Sequence, residues 1–252
     1  MGYSKGFNFK QFSVSHDRSS MKVGTDAVLL GAWTPLPSSP LSILDVGTGC
    51  GVVALMLAQR TQNRQEVQID AIDIDEASVE QANENFRLSP WSERLQAYPS
   101  HLQEWERVES RKTKDKRLYD LIVSNPPYFV DSLTNPDSRR AAARHTQTLS
   151  YEELTLHAAR LLKDGGQLSL IFPADQEEKV KQAAATAGFS LQAELRVSPK
   201  PGKDVTRLLC SFVLRSPLTA ANLSPLQQHF TIEDESHPRS EEYIALTKDF
   251  YL

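Results

Sequence analysis

LSILDVGTGCGVVALMLAQR, residues 41–60, decides the fold. Leu41–Val46 is a short apolar run that stops at a turn rich in glycine, which reads as a strand. Val52–Arg60 is dense in Ala, Leu and Met, good helix formers. A strand running through a glycine turn into a helix is the opening unit of an α/β sheet. The alternation continues outward. Val67–Asp73 reads as a second strand, and Glu76–Leu88 as a helix with Val79, Ala82 and Phe86 on one stripe. A weak strand at Leu95–Tyr98 precedes a charged stretch. Residues 111–117 carry five positive charges and one negative, and read as an exposed loop. Asp120–Ser124 is a strand cut off by Pro126-Pro127. Tyr151–Lys163 is a helix that Gly165-Gly166 is expected to end. Gln167–Phe172 is a strand, Asp175–Ala187 a helix closed by Gly188, and Leu191–Val197 and Arg207–Leu214 are the last two strands. Alternating strands and helices imply a parallel, doubly wound sheet with helices on both faces.

The bulk properties are those of an ordinary globular protein. The chain has 252 residues, 40% apolar and 24% charged, with a net charge of −4. That balance excludes collagen-like and wholly disordered chains, and argues against nucleic-acid binding through overall charge alone. Two cysteines, Cys50 and Cys210, make no disulfide framework and point to a reducing compartment. No signal-like apolar stretch opens the chain, and no window approaches about 18 consecutive apolar residues. A cytoplasmic protein off the membrane is expected. Pro35–Pro40 reads as a turn or linker, and residues 216–252 as a polar, acidic tail.

Doubly wound sheets bind ligands beyond the carboxyl ends of their strands, where the strand order reverses. Asp45-Val46-Gly47-Thr48-Gly49-Cys50-Gly51 is such a turn, but its third glycine comes one residue too early for the G-x-G-x-x-G dinucleotide fingerprint. The strand-end Asp45 would repel a pyrophosphate, and no G-x-x-x-x-G-K P-loop is present. A ligand with an amine or a sulfonium suits the turn better. The alternative is a turn that merely needs small residues, with Cys50 one of them rather than a nucleophile. Asp73 ends the second strand, where an acid can hydrogen-bond ribose hydroxyls. A ribose without a phosphate, beside an acid-flanked glycine turn, points to S-adenosyl-L-methionine. Asp75 and Glu76 read as an ordinary helix start.

Asn125-Pro126-Pro127-Tyr128 follows the fourth strand, which in this topology adjoins the first. The prolines stiffen the turn. The Asn125 side-chain oxygen and the Pro126 carbonyl can accept both hydrogens of a planar amine, which frees its lone pair to face a methyl donor. Tyr128 offers a flat face for a base. A Pro-rich turn with a core tyrosine is the alternative. No zinc-like spacing of His and Cys occurs, so no metal is expected.

With these motifs in place, the chain resembles a class I S-adenosylmethionine-dependent methyltransferase of the amino-methylating Asn-Pro-Pro-Tyr type. More narrowly, it resembles the bacterial tRNA1(Val) (adenine(37)-N6)-methyltransferase family. That resemblance runs through Phe9-Lys10-Gln11-Phe12, Met21–Asp26, Leu29–Trp33, Asp45–Gly51, Asn125–Tyr128, Ala143-Arg144-His145 and Phe250-Tyr251-Leu252. It implies a Rossmann-like, mostly parallel seven-stranded sheet with an antiparallel last strand. It also implies one domain over residues 1–252: a covering segment at 1–40, a catalytic core at 41–215 and an appendage at 216–252. The implied cofactor contacts are Lys22, Gly24, Thr25 and Asp26 from the front, Asp45, Gly47, Gly49 and Gly51 in the turn, then Asp73, Ile74, His101 and Leu102. The family carries an Asp against the cofactor's adenine amino group where this chain has His101. Asn125, Pro126, Pro127 and Tyr128 are the implied catalytic residues, tRNA the partner, and no obligate protein partner is expected. A positive surface for RNA is expected from Lys10, Arg139, Arg140, Arg144, Lys200, Lys203 and Arg207, with Lys5 and Lys22 at the front. Glutamine-N5 protein methylation, guanine-N2 rRNA methylation and DNA adenine methylation are the rival enzyme readings, and an idle RNA-binding module the non-enzyme one. Only 44 residues precede Asp45, against the helical N-terminal domain typical of the glutamine enzymes.

Overall fold

The computed structural model describes residues 6–19, 21–38, 41–64, 66–112, 118–126, 149–215, 224–235 and 237–251. A front hairpin, β1 (Gly6–Asn8) with β2 (Ser13–Ser15), leads into helix α1 (Thr25–Trp33). The expected alternation follows: β3 (Ser42–Val46), α2 (Val52–Arg60), β4 (Gln68–Asp73), α3 (Glu76–Arg87), β5 (Leu95–Pro99), α4 (Leu102–Lys112) and β6 (Tyr119–Ser124). Then come α5 (Tyr151–Leu161), β7 (Leu162–Pro173), α6 (Glu177–Thr186), β8 (Phe189–Ser198), β9 (Arg207–Leu214), β10 (Leu226–Thr231) and α7 (Glu241–Thr247).

One sheet carries β10-β8-β9-β7-β6-β3-β4-β5 in that order. Strands β5, β4, β3, β6 and β7 are parallel, and β9 runs antiparallel to both β7 and β8. All seven expected strands are present, including the antiparallel one. The eighth, β10, lies in the stretch read as a polar tail. It pairs parallel to β8, from Leu226 opposite Ala193 to Thr231 opposite Ser198.

The central strands β3 and β6 are buried on both faces, so adjacent residues feed opposite cores. Ile43, Leu121 and Val123 pack with α1, α2 and α3, while Leu44 and Ile122 pack with α4, α5 and α6. The stripe read on α3 is realised: Val79, Ala82 and Phe86 are all buried. Helix α4 occupies the charged stretch. Its Leu102 and Trp105 are buried, and residues 111–112 belong to it, while 113–117 lie outside the described residues.

Helix α5 stops earlier than its glycines suggest. Leu162 is already extended (φ −76°, ψ 141°) because it pairs with Tyr119 as the first residue of β7. Gly165-Gly166 therefore sits at a register break inside β7, between the pairs Tyr119–Leu162 and Leu121–Gln167, with Gly165 at φ 75°. The glycines make an irregular bend in a strand rather than a helix cap. Among the described residues, no helix is long and apolar enough to cross a membrane.

Candidate functional site

Strand order reverses between β3 and β6: β4 and β5 lie to one side, β7 and β9 to the other. The ends of the central strands are level, with Val46 opposite both Ile72 and Ser124, and Asp73 opposite Pro99. The turns leaving these strands surround a cavity of about 720 Å³. That volume is within the range of small-molecule and cofactor sites.

The glycine turn forms its floor. Gly47 (φ 73°) and Gly49 (φ 54°) both line the cavity in left-handed conformations, which glycine adopts without strain. A Cβ at Gly47 would meet no protein atom within 4 Å, so the turn leaves open space above it. The turn is tied to its neighbours by Gly47 N–H and Thr48 N–H donating to the Ile72 carbonyl, at 2.9 and 3.1 Å. Gly51 does not line the cavity. It caps the start of α2 at φ 84°, and a Cβ there would fall 2.5 Å from Phe86 Cε1. The third glycine lets α3 close onto the turn.

Asp45 lies on the cavity wall and is 1% exposed. Burial pushes its carboxyl up to about 7, and the charge of Asp73 adds to the rise. The Thr48 hydroxyl, 2.7 Å from Asp45 Oδ2, and the Ala54 amide oppose it. Asp73 has two duties within the protein: Oδ2 accepts from Gly49 N–H at 2.8 Å and Oδ1 from Asp75 N–H at 3.0 Å. A carboxylate has about four acceptor positions, so each oxygen keeps a lone pair for a ligand. The side chain that was read as a ligand contact thus also holds the glycine turn in shape. Asp75 starts α3 and accepts from the Ser78 hydroxyl at 2.6 Å. Cys50 also lines the cavity, but burial pushes its thiol up to about 11, so it stays protonated and is no nucleophile at neutral pH.

Ile74, half exposed, and Leu102, buried, give the cavity apolar surface, with the exposed His101 beside them at the head of α4. The front wall is Lys22, Gly24, Thr25 and Asp26. Ser124 Oγ donates to the Val46 carbonyl at 2.8 Å, which pins the end of β6 to the end of β3. The next two residues, Asn125 and Pro126, line the same cavity as the glycine turn. Pro127 and Tyr128 lie outside the described residues.

The residues read as an RNA surface separate into groups. Arg139, Arg140, Arg144 and Lys5 lie outside the described residues. Lys10 donates its ammonium to the Lys248 carbonyl at 2.6 Å, joining the front hairpin to the end of α7. Lys200 pairs with Glu233 at 2.9 Å. Arg207 donates through Nε to Asp26 Oδ2 at 2.9 Å, on the cavity wall. Lys203 is exposed. Thr48, Ser124 and Glu153 were not read as site residues. Glu153 lines the cavity and closes a capping box with Ser150 at the start of α5. The Ser-x-x-Glu spacing ahead of an apolar stripe was the available signal for it. No group of three or more potential metal ligands occurs among the described residues.

The family model of a methyltransferase small domain matches residues 27–187. The chain is 45% identical to a tRNA1(Val) (adenine(37)-N6)-methyltransferase from Parabacteroides distasonis, over 98% of this chain and 97% of that protein. A protein of the same description from Phocaeicola vulgatus is also 45% identical, over 98% of this chain and 97% of its own length. Among solved structures, a predicted O-methyltransferase from Agrobacterium tumefaciens superposes with a TM-score of 0.67 at 18% identity. It covers 89% of this chain and 96% of its own, a likeness of fold.

Proposed function

This chain belongs to the tRNA1(Val) (adenine(37)-N6)-methyltransferase family, and we propose on that premise that it uses S-adenosyl-L-methionine to methylate the exocyclic N6 of adenine-37 in tRNA1(Val). The observation that carries the reading is the shared cavity. Asn125 and Pro126 stand at the sheet's reversal point together with the Gly47–Gly49 turn.

The residues present fit the cofactor. The open space over Gly47 admits a ligand against the backbone. Asp45 is a desolvated carboxyl that gains by meeting a positive charge. The spare lone pairs of Asp73 suit ribose hydroxyls, and Ile74 and Leu102 suit a flat base, with the His101 ring beside it able to accept from an amino group. Lys22, Gly24, Thr25 and Asp26 cover the ligand from the front. When bound, S-adenosylmethionine supplies an electrophilic methyl group on a sulfonium.

The rest is the work of the chain. The Asn125 amide oxygen and the Pro126 carbonyl accept the two N6 hydrogens, which draws the nitrogen lone pair out of conjugation and aims it across the cavity. The same two oxygens stabilise positive charge as it develops on nitrogen. The amine sheds its proton only once it is cationic, so no strong base is required. Lys203, together with Arg139, Arg140 and Arg144, makes up the proposed tRNA contacts.

Transfer of labelled methyl groups to total RNA and to total protein tests the assignment. Label recovered as N6-methyladenosine in tRNA is expected. Label in N2-methylguanosine or in protein glutamine overturns it.

A pH dependence follows from Asp45. A bound cation favours the ionised carboxylate, which predominates only above about 7. Affinity for S-adenosylmethionine therefore falls on acidification below neutrality, by up to about tenfold per pH unit, and levels off above it. Calorimetric titration across the neutral range checks this; a flat profile contradicts the role. Without ligand the sign reverses. The folded state then holds the Asp45 proton more tightly than the unfolded chain, so this group's contribution to stability is lost as pH rises toward 7.

A further inference from the structure

We propose that Arg207 is a positioning residue of the methyl-transfer site: it holds the Asp26 carboxylate, and with it the start of α1, in place as the front wall of the cavity. The proposal rests on the reading of that cavity as the cofactor site.

The start of α1 is weakly secured by its own sequence. Gly24 stands at the cap position (φ −119°, ψ 162°) and supplies no side-chain cap. The first helical hydrogen bond, Val28 N–H to the Gly24 carbonyl, is 3.2 Å long. Just before it, Val23 N–H reaches His16 Nδ1 at 3.4 Å. Yet Lys22, Gly24, Thr25 and Asp26 all line the cavity. A ligand that depends on this wall needs it held from elsewhere.

Arg207 provides the hold from a rigid place. It is the first residue of β9, paired with Pro173 at the cavity end of β7 and with Val197 of β8. The preceding turn is anchored on both sides, by Ala174 N–H to the Thr206 carbonyl (3.1 Å) and Thr206 N–H to the Val197 carbonyl (2.9 Å). Arg207 Nη1 donates to the Thr206 carbonyl at 2.9 Å, which fixes the guanidinium plane, and Nε donates to Asp26 Oδ2 at 2.9 Å. Both side chains are about one-third exposed or less, where a charge-assisted hydrogen bond outweighs a fully solvated pair. Asp26 also stands in the first turn of α1, where its charge complements the helix dipole. The arginine that reads from sequence as an RNA contact is thus committed to the cofactor side.

Arg207→Ala and Arg207→Lys, each with a thermal melt, test the assignment through three readouts. The first is amide hydrogen exchange over residues 24–28 in the ligand-free protein. The second is affinity for S-adenosylhomocysteine, together with the KM for S-adenosylmethionine. The third is the salt dependence of tRNA binding. Arg207→Ala is expected to speed exchange in the first turn of α1, to weaken S-adenosylhomocysteine about tenfold, and to raise KM by more than kcat falls. The salt slope of tRNA binding stays as in the wild type. Arg207→Lys, which keeps one charged donor, recovers part of the loss. Unchanged exchange and unchanged product affinity overturn the proposal. So does a salt slope reduced by about one, the mark of a lost phosphate contact. If the wild type itself fails to bind S-adenosylhomocysteine, the cofactor reading fails, and exchange at residues 24–28 still decides the role of Arg207. If Arg207→Ala does not fold, Arg207→Lys decides by the same readouts.

Discussion

Asn125→Ala lowers turnover by about 10²–10³-fold and leaves cofactor affinity within about twofold of the wild type. The separation follows from the strands. The proposed cofactor contacts leave β3, β4 and β5 or come from the front segment, whereas Asn125 leaves β6. Its backbone is fixed by neighbours that the substitution does not touch: Ser124 is bonded to the Val46 carbonyl and Pro126 is buried. Truncation removes one acceptor from the cavity wall. The remaining Pro126 carbonyl can accept one amine hydrogen, so the lone pair is no longer turned fully toward the methyl group. Asn125→Asp keeps an oxygen at the same distance from the backbone and retains more turnover than Asn125→Ala, since the role needs an acceptor. Single-turnover methylation of tRNA, measured beside calorimetric titration of the cofactor, separates the two effects. A large loss of cofactor affinity in Asn125→Ala contradicts the role.

The second large effect divides two glycines of one turn. Gly51→Ala destabilises the fold by about 2–4 kcal/mol, the sum of left-handed strain and overpacking. The overpacking is concrete: the new methyl would fall 2.5 Å from a ring carbon of Phe86 and 3.2 Å from the Cβ of Ala82. Phe86 is 1% exposed and has nowhere to turn. Tm drops by roughly 5–12 °C, while the protein that remains folded still binds cofactor. Gly47→Ala behaves in the opposite way. It carries only the strain of a positive φ, about 1–2 kcal/mol, because no protein atom meets the methyl within 4 Å. The methyl occupies ligand space instead, and cofactor affinity falls more than about tenfold. Melting curves and titrations on the two variants check the contrast; equal losses of both properties would refute it.

The two glycines also mark how far the sequence could be read. The D-x-G-x-G-x-G run placed the turn at the reversal point. It did not say which glycine faces a ligand and which faces a helix, because Phe86 lies 35 residues further on. Helix α1 was missed because TDAVLLGAW is apolar nearly all round and presents no stripe. Helix α4 was missed for the converse reason: Leu102 and Trp105 are its buried anchors in an otherwise charged run. Strand β10 pairs along one edge only, and its first four residues, Leu226–His229, are exposed, so no alternation betrays it. The Arg207–Asp26 pair spans 181 residues, and nothing local in either segment announces it.

Asn85 carries a mechanical consequence. It is 2% exposed, its Oδ1 accepts from Ser15 N–H at 2.9 Å, and its Nδ2 donates to the carbonyls of Ser15 and Cys50, both at 2.8 Å. One amide therefore rivets the leading hairpin and the glycine turn at the cavity floor onto α3 as a single plate. Any displacement of the hairpin is thus a displacement of the glycine turn and of α3 as well, and nine residues separate that rivet at Ser15 from the start of α1 at Thr25.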